Sequence, residues 1–224
     1  MGFWSGLWSG IKSIASSISN VLKSSPLVNA LVTALAAALP PPLDVIAVVA
    51  VQALASSAGV DEKPEELGWQ MNEADKKPED FGSFKEYKEY LDREYPFDQE
   101  KFDALSEEQK AACRYVGMAG TMQEVKEAKS FEITPETLGV LAKGAASLKW
   151  DDAQLGAFTK GFSVSLADSG AASLGDVESL AKGTLAPDKF GAVFGAITAG
   201  AKEAGVKQDN AAIIASLQEG ERGM

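Results

Sequence analysis

Carboxylates are the reactive groups this sequence offers in quantity. It has 32 Asp and Glu among 224 residues, one cysteine, Cys113, and no histidine. Two carboxylates held roughly 5–9.5 Å apart would serve as the acid and base or nucleophile of a glycosidase. Glu65, Glu66, Glu73 and Asp75 are close in sequence, but they read as a solvated charged face. The run from Asp168 to Glu178 has the outline of a calcium loop, yet Gly170 and Ala172 stand where oxygen ligands are required. Without histidine, Ser-His-Asp and Cys-His nucleophiles and every imidazole metal site are ruled out. Cys113, within KAACRYVGMAG, lacks a histidine to activate it and reads as a small buried helix residue. Neither a phosphate-cradling GxxxxGK loop nor a GxGxxG after a strand occurs. The expectation is therefore a protein that is not an enzyme, with no catalytic residues, no metal and no cofactor.

The informative chemistry is physical and lies at the N-terminal end. In GFWSGLWSGIKSIASSISNVLKSS, Trp4, Leu7, Ile11, Ile14, Ile18 and Val21 recur at spacings of three and four. One helical stripe results, with Ser5, Ser9, Lys12, Ser13, Ser16 and Asn20 off it. Phe3, Trp4 and Trp8 at its leading end suit a membrane–water boundary, where an amphipathic ring has one apolar and one wet side. FWSG followed by LWSG places Gly2, Gly6 and Gly10 four apart, a smooth stripe that lets another helix approach closely. The partners this predicts are a lipid bilayer, copies of the same chain, or other proteins of an assembly. Gly2 is followed by Phe3 and Trp4, with Gly at position 6, which does not fit N-myristoylation. Leu27–Leu39 with Ala36, Ala37 and Ala38 has some features of a signal peptide, but 26 residues of amphipathic sequence before it are atypical.

The elements that would position this stripe are helices throughout; the fold class expected is all-α. Leu27–Leu39 and Leu43–Ala55 are apolar stretches of 13 residues, each about 20 Å as a helix and short of a ~30 Å hydrocarbon core. Pro40, Pro41 and Pro42 prevent one continuous helix and predict a hairpin corner, with Asp44 facing water or capping the second helix. Such a hairpin suits the core of a soluble domain, an interfacial or re-entrant element, or a pore lined by several copies. Composition changes at Asp61. Residues 61–80 read as an acidic linker, and 81–224 as an acidic bundle of short helices, after an apolar N-terminal region over 1–60.

Within the bundle, Phe84, Tyr87, Leu91 and Tyr95 form a stripe, with Lys85–Glu89 and Glu89–Arg93 as i,i+4 pairs and Pro96 ending the helix. Ser106 to Gln109 has capping-box spacing and starts a helix to about Lys129. TPETLGVLAKGA, DDAQLGAFTKGF and APDKFGAVFGAI, from Thr134, Asp151 and Ala186, form a weak repeat. SLGDVESLAKGTL and KQDNAAIIASL are looser members. Gly139, Gly144, Gly156, Gly161, Gly191, Gly195 and Gly200 inside these helices predict close helix packing.

Charge completes the picture. Residues 1–60 carry only Lys12, Lys23 and Asp44, a net of +1, which leaves −12 for the rest of a chain at −11. An acidic body repels nucleic acid and anionic lipid alike, so no direct nucleic-acid binding is expected. In layout, the apolar Gly/Ala-rich residues 1–60 before an acidic helical body, the chain resembles the small ejection (internal virion) proteins of short-tailed bacteriophages. The Trp-rich repeat is also compatible with a bacterial toxin or a holin-like protein. The ejection-protein resemblance implies storage in a virion, release ahead of the genome and oligomerisation into a channel in the host cell envelope. The competing reading is a soluble adaptor of a larger cytoplasmic assembly, its N-terminal stripe acting as a coiled-coil seam buried between subunits.

Overall fold

A computed structural model describes residues 12–129 and 132–222. Among these the chain is all-helical, as its sequence predicts. The helices are α1 (residues 12–17), α2 (Asn20–Lys23), α3 (Pro26–Ala38), α4 (Leu43–Ser57), α5 (Pro64–Glu73), α6 (Phe84–Glu94), α7 (Gln99–Asp103) and α8 (Glu107–Lys129). They continue with α9 (Pro135–Leu148), α10 (Asp152–Ser169), α11 (Gly175–Ala181), α12 (Phe190–Glu203) and α13 (Asn210–Arg222).

Local signals set most of the boundaries. Ser106 accepts from the Gln109 amide while Gln109 accepts from the Ser106 amide, so the expected capping box opens α8. Asp151 and Gln154 do the same for α10, and Thr134 caps α9 ahead of Pro135. The repeat-like segments are thus the starts of α9, α10 and α12, with α11 and α13 the looser members. On α6, Phe84, Tyr87, Tyr90 and Leu91 are buried and Tyr95 half-buried. The ion pairs on its wet side differ from those expected: Lys88 meets Asp92 at 3.0 Å and Glu62 at 2.9 Å. Lys88 sits at the edge of α5, where the carboxylate before that helix can reach it.

Two expectations are corrected. Residues 61–80 are not a solvated linker: α5 buries Leu67, Gly68, Trp69, Gln70 and Met71, and Pro78–Asp80 forms a 3-10 turn. Its charges mask an apolar face only one turn wide, which folds because α8 covers it. The hydrophobic core also ignores the composition boundary at Asp61. One cluster runs from Ile14 through Val28, Leu54, Met71, Tyr115 and Phe158 to Leu217. α4 lies centrally, packed on α8, α9 and α10, while α3 rests on α8 and α9.

Candidate functional site

The N-terminal stripe reaches the described residues only in its second half. Ile14 and Ile18 are buried in the main core. Val21 is half-buried, and Leu22 is fully buried in its stead. The reason is a break in the helix: α1 stops at 17, Ser19 caps α2 through Leu22, and the Ser19 amide donates to Asn72 Oδ1 at 2.8 Å. Restarting the helix rotates its apolar face by one position. Gly2, Phe3, Trp4, Gly6, Leu7, Trp8, Gly10 and Ile11 lie outside the described residues.

The hairpin corner at Pro40, Pro41 and Pro42 is present, with the Leu43 amide donating back to the Pro40 carbonyl at 2.9 Å. Two consecutive residues of α8 hold its two sides. The Tyr115 hydroxyl donates to the Leu39 carbonyl at 2.5 Å, taking up an acceptor at the end of α3. Arg114 Nε donates to Asp44 at 2.7 Å, and its Nη1 lies 3.5 Å from Glu65. Asp44 therefore neither faces water nor acts as a cap. It is fully buried, because Arg114 supplies the charge its burial requires. Its second oxygen is buried with no hydrogen-bond partner. At the other end of α3, Ser25 donates to Glu79 at 2.6 Å and caps the Val28 amide at 3.1 Å. Nothing in the sequence pattern alone pairs position 44 with 114.

The apolar side of the hairpin is spent inside the protein: Val28, Val32, Leu35, Leu39, Ala47, Val51 and Leu54 are buried. What α3 and α4 leave outside is mostly small, with Ala30, Ala37 and Val45 exposed. No helix among the described residues is long and apolar enough to cross a membrane.

Titratable groups cluster at the α5–α6–α8 junction. Lys88 bridges Glu62 and Asp92, and Gln70 donates to Asp92 at 3.3 Å. Glu124 on α8 has a buried oxygen without a hydrogen-bond partner. Burial, then the charges of Glu62, Asp92 and Glu127 against the opposing Lys88, pushes its carboxyl up to about 7. Burial also raises Glu62, against the pull of Lys88. Raised carboxyls also occur at acid–base sites; here both belong to one cluster of like charges between packed helices, with Lys88 as its cation.

The remaining reactive groups are occupied structurally. Burial pushes the Cys113 thiol up to about 11, and Cys113 packs with Trp69 and Phe102. Thr134 and Thr137 both donate to Glu178, tying the start of α9 to α11. Among the described residues no group of three His, Cys, Asp or Glu side chains is placed to hold a metal.

Glycines make the tightest joints. A Cβ at Gly68 would stand 1.8 Å from the Cys113 carbonyl oxygen, and one at Gly117 1.6 Å from that of Pro64. The sequence pattern marks neither: Gly68 lies in an acidic stretch that reads as a linker, and Gly117 in a helix whose partner is distant in sequence. Of the seven glycines expected at close contacts, Gly144, Gly161 and Gly200 are so placed, facing Leu217, Glu203 and Phe158 at 2.7–2.9 Å. Gly139 and Gly156 make ordinary contacts, and Gly191 and Gly195 face open space. Compared with protein-family models, curated proteins and solved structures, the chain finds no match.

Proposed function

We propose that this is a non-enzymatic, membrane-interacting and self-associating protein. Residues 2–11 make the lipid contact, and the acidic helical body stays in water. A virion ejection or channel-forming component is the setting that suits this division. The observation that carries the reading is the amphipathic spacing of Trp4, Leu7, Trp8 and Ile11 directly ahead of a hairpin that is already buried. That burial narrows the membrane role from all of residues 1–60 to the Trp-bearing segment, because α3 and α4 cannot reach lipid without dismantling the core.

The test is flotation and dye release with vesicles of zwitterionic lipid, which the acidic body does not repel. The full chain is compared with the Trp4→Glu/Trp8→Glu/Ile11→Glu variant. Binding and leakage are lost while the helical circular-dichroism signal and its melting stay unchanged. Undiminished binding by the triple variant overturns the lipid contact. A deletion of residues 1–60 is unsuitable, because it removes the centre of the core.

The second reading, a soluble adaptor of a larger assembly, draws support from the same buried hairpin and from an open apolar face on α12. It predicts a sharp oligomer in lipid-free buffer and no flotation.

A further inference from the structure

Helix α12 buries Val193, Ala196, Ile197, Gly200 and Ala201 against the body and leaves Phe190, Gly191, Phe194 and Gly195 exposed, with Asn210 at the start of α13 bonded to Thr198 one turn further on. That outer side carries Phe190 and Phe194, 48% and 41% exposed and stacked at 5.9 Å. Beside them run Gly191 and Gly195, where an added Cβ meets nothing within 4 Å. Helical glycines cost stability unless something packs on them, and adjacent exposed phenylalanines mark an interaction surface. Gly200 already shows what happens at a glycine on the inner side of α12, where Phe158 of α10 closes onto it.

We propose that the outer face of α12 is where two copies of this chain pair, antiparallel about a twofold axis passing beside Gly195. The occupant follows from symmetry and charge. A twofold axis lying between antiparallel helices brings like flanks together, so the two Phe190–Phe194 ridges meet on one side. The two glycine flanks meet on the other, where the backbones can approach closely. Lys202 lies seven residues after Gly195 on α12, and Asp188 seven before it in the turn that leads into the helix, so this register brings the entry of one helix, with Asp188, near Lys202 of the other. Both are exposed, and neither has an ion-pair partner among the described residues. A parallel pairing would instead set Asp188 against Asp188. One helix face about 21 Å long falls short of the ~800 Å² per partner of a standard stable interface, so the pairing is reversible and concentration-dependent.

This surface rests on the self-associating part of the proposed function, and it is tested so that the two can fail separately. Gly195→Cys in the full chain, mildly oxidised, cross-links to a dimer at least tenfold faster than Gly175→Cys, an exposed glycine at the start of α11. Antiparallel copies place the Cα atoms of the two substituted positions within the roughly 4.4–6.8 Å a disulfide spans. The unsubstituted chain is the blank for Cys113. Cross-linking persists when Trp4→Glu, Trp8→Glu and Ile11→Glu are added, even if vesicle binding is gone. In sedimentation velocity, Asp188→Lys and Lys202→Asp each weaken the dimer several-fold, and the two together restore it. Equal cross-linking at positions 195 and 175, or charge reversals that do not compensate, overturns the proposal. Cross-linking that vanishes with the tryptophans assigns association to the N-terminal segment instead, and overturns it too.

Discussion

Glycine brings helices close at several crossings among the described residues, and two of these crossings differ. At α5–α8, Gly68 and Gly117 face backbone carbonyls so closely that a methyl group would overlap them, at 1.8 and 1.6 Å. At α10–α12, Gly161 and Gly200 face a mixture of side-chain and backbone atoms at 2.7–3.2 Å. The first joint lies in the charged, aromatic part of the chain, where Arg114, Tyr115 and Lys88 add polar ties around it. The second lies in the Gly/Ala-rich part and relies on packing. At 1.6–1.8 Å from a carbonyl oxygen an added methyl overlaps outright, whereas at 2.7–3.2 Å, with the Phe158 carbonyl nearest to Gly200, the displacement it demands is smaller. The lesson is that composition is a poor guide to tightness: the closest contact lies where the sequence has most charge.

Substitution at the glycines separates the two joints most strongly. Gly117→Ala should destabilise by about 4 kcal/mol or more, because α5 must move bodily off α8. Gly200→Ala should cost about 1–3 kcal/mol, an ordinary overpacking. Urea melts of the two variants check the order, and equal midpoints would remove the distinction.

The polar ties come next. Arg114→Met should cost about 3–5 kcal/mol, because Asp44 is left buried without its cation. Asp44→Leu added to Arg114→Met should recover most of that loss. If the double variant is no more stable than the single one, the Arg114–Asp44 pair is not what holds the hairpin.

The pH response between about 4.5 and 7 is smaller and centres on the α5–α6–α8 junction. Glu124 has an ordinary value of 4.5 and titrates near 7 when folded. The folded chain thus holds a proton that the unfolded chain releases, and stability falls as pH rises from 4.5 to 7. Glu124→Gln should flatten that slope without abolishing it, since Glu62 is raised as well. Melting temperatures at about pH 5, 6, 7 and 8 measure it, and an unchanged slope would clear Glu124 of the effect.

The smallest effect has the opposite sign. Gly195→Ala, in open space on α12, should stabilise the monomer by up to about 1 kcal/mol, as helix propensity alone dictates. A clear loss at monomeric concentrations would mean that the α12 face already has a contact within the chain.

Much of the fold was legible because its signals are local. Capping residues at Ser106, Thr134 and Asp151, three prolines at one corner and periodic apolar stripes each act within a few residues. The failures have a common cause. Asp44 reads as a wet residue until Arg114, 70 positions away, is brought against it. Residues 61–80 read as a linker because their average is polar, yet Leu67 and Met71 need only the single face that α8 offers. Val21 continues the stripe on an unbroken helix, but the cap at Ser19 resets the phase in favour of Leu22.

By itself the sequence determined that the chain is helical, where most helices start, that its acidic charge lies beyond residue 60, and that histidine-dependent catalysis is impossible. Those properties follow from composition and from interactions a few residues long. Only the tertiary structure decided that the hairpin belongs to the core, which glycines close a joint, and which, like Gly191 and Gly195, are left facing outward. Burial and close approach depend on residues distant in sequence, and no local pattern encodes which helix will arrive opposite.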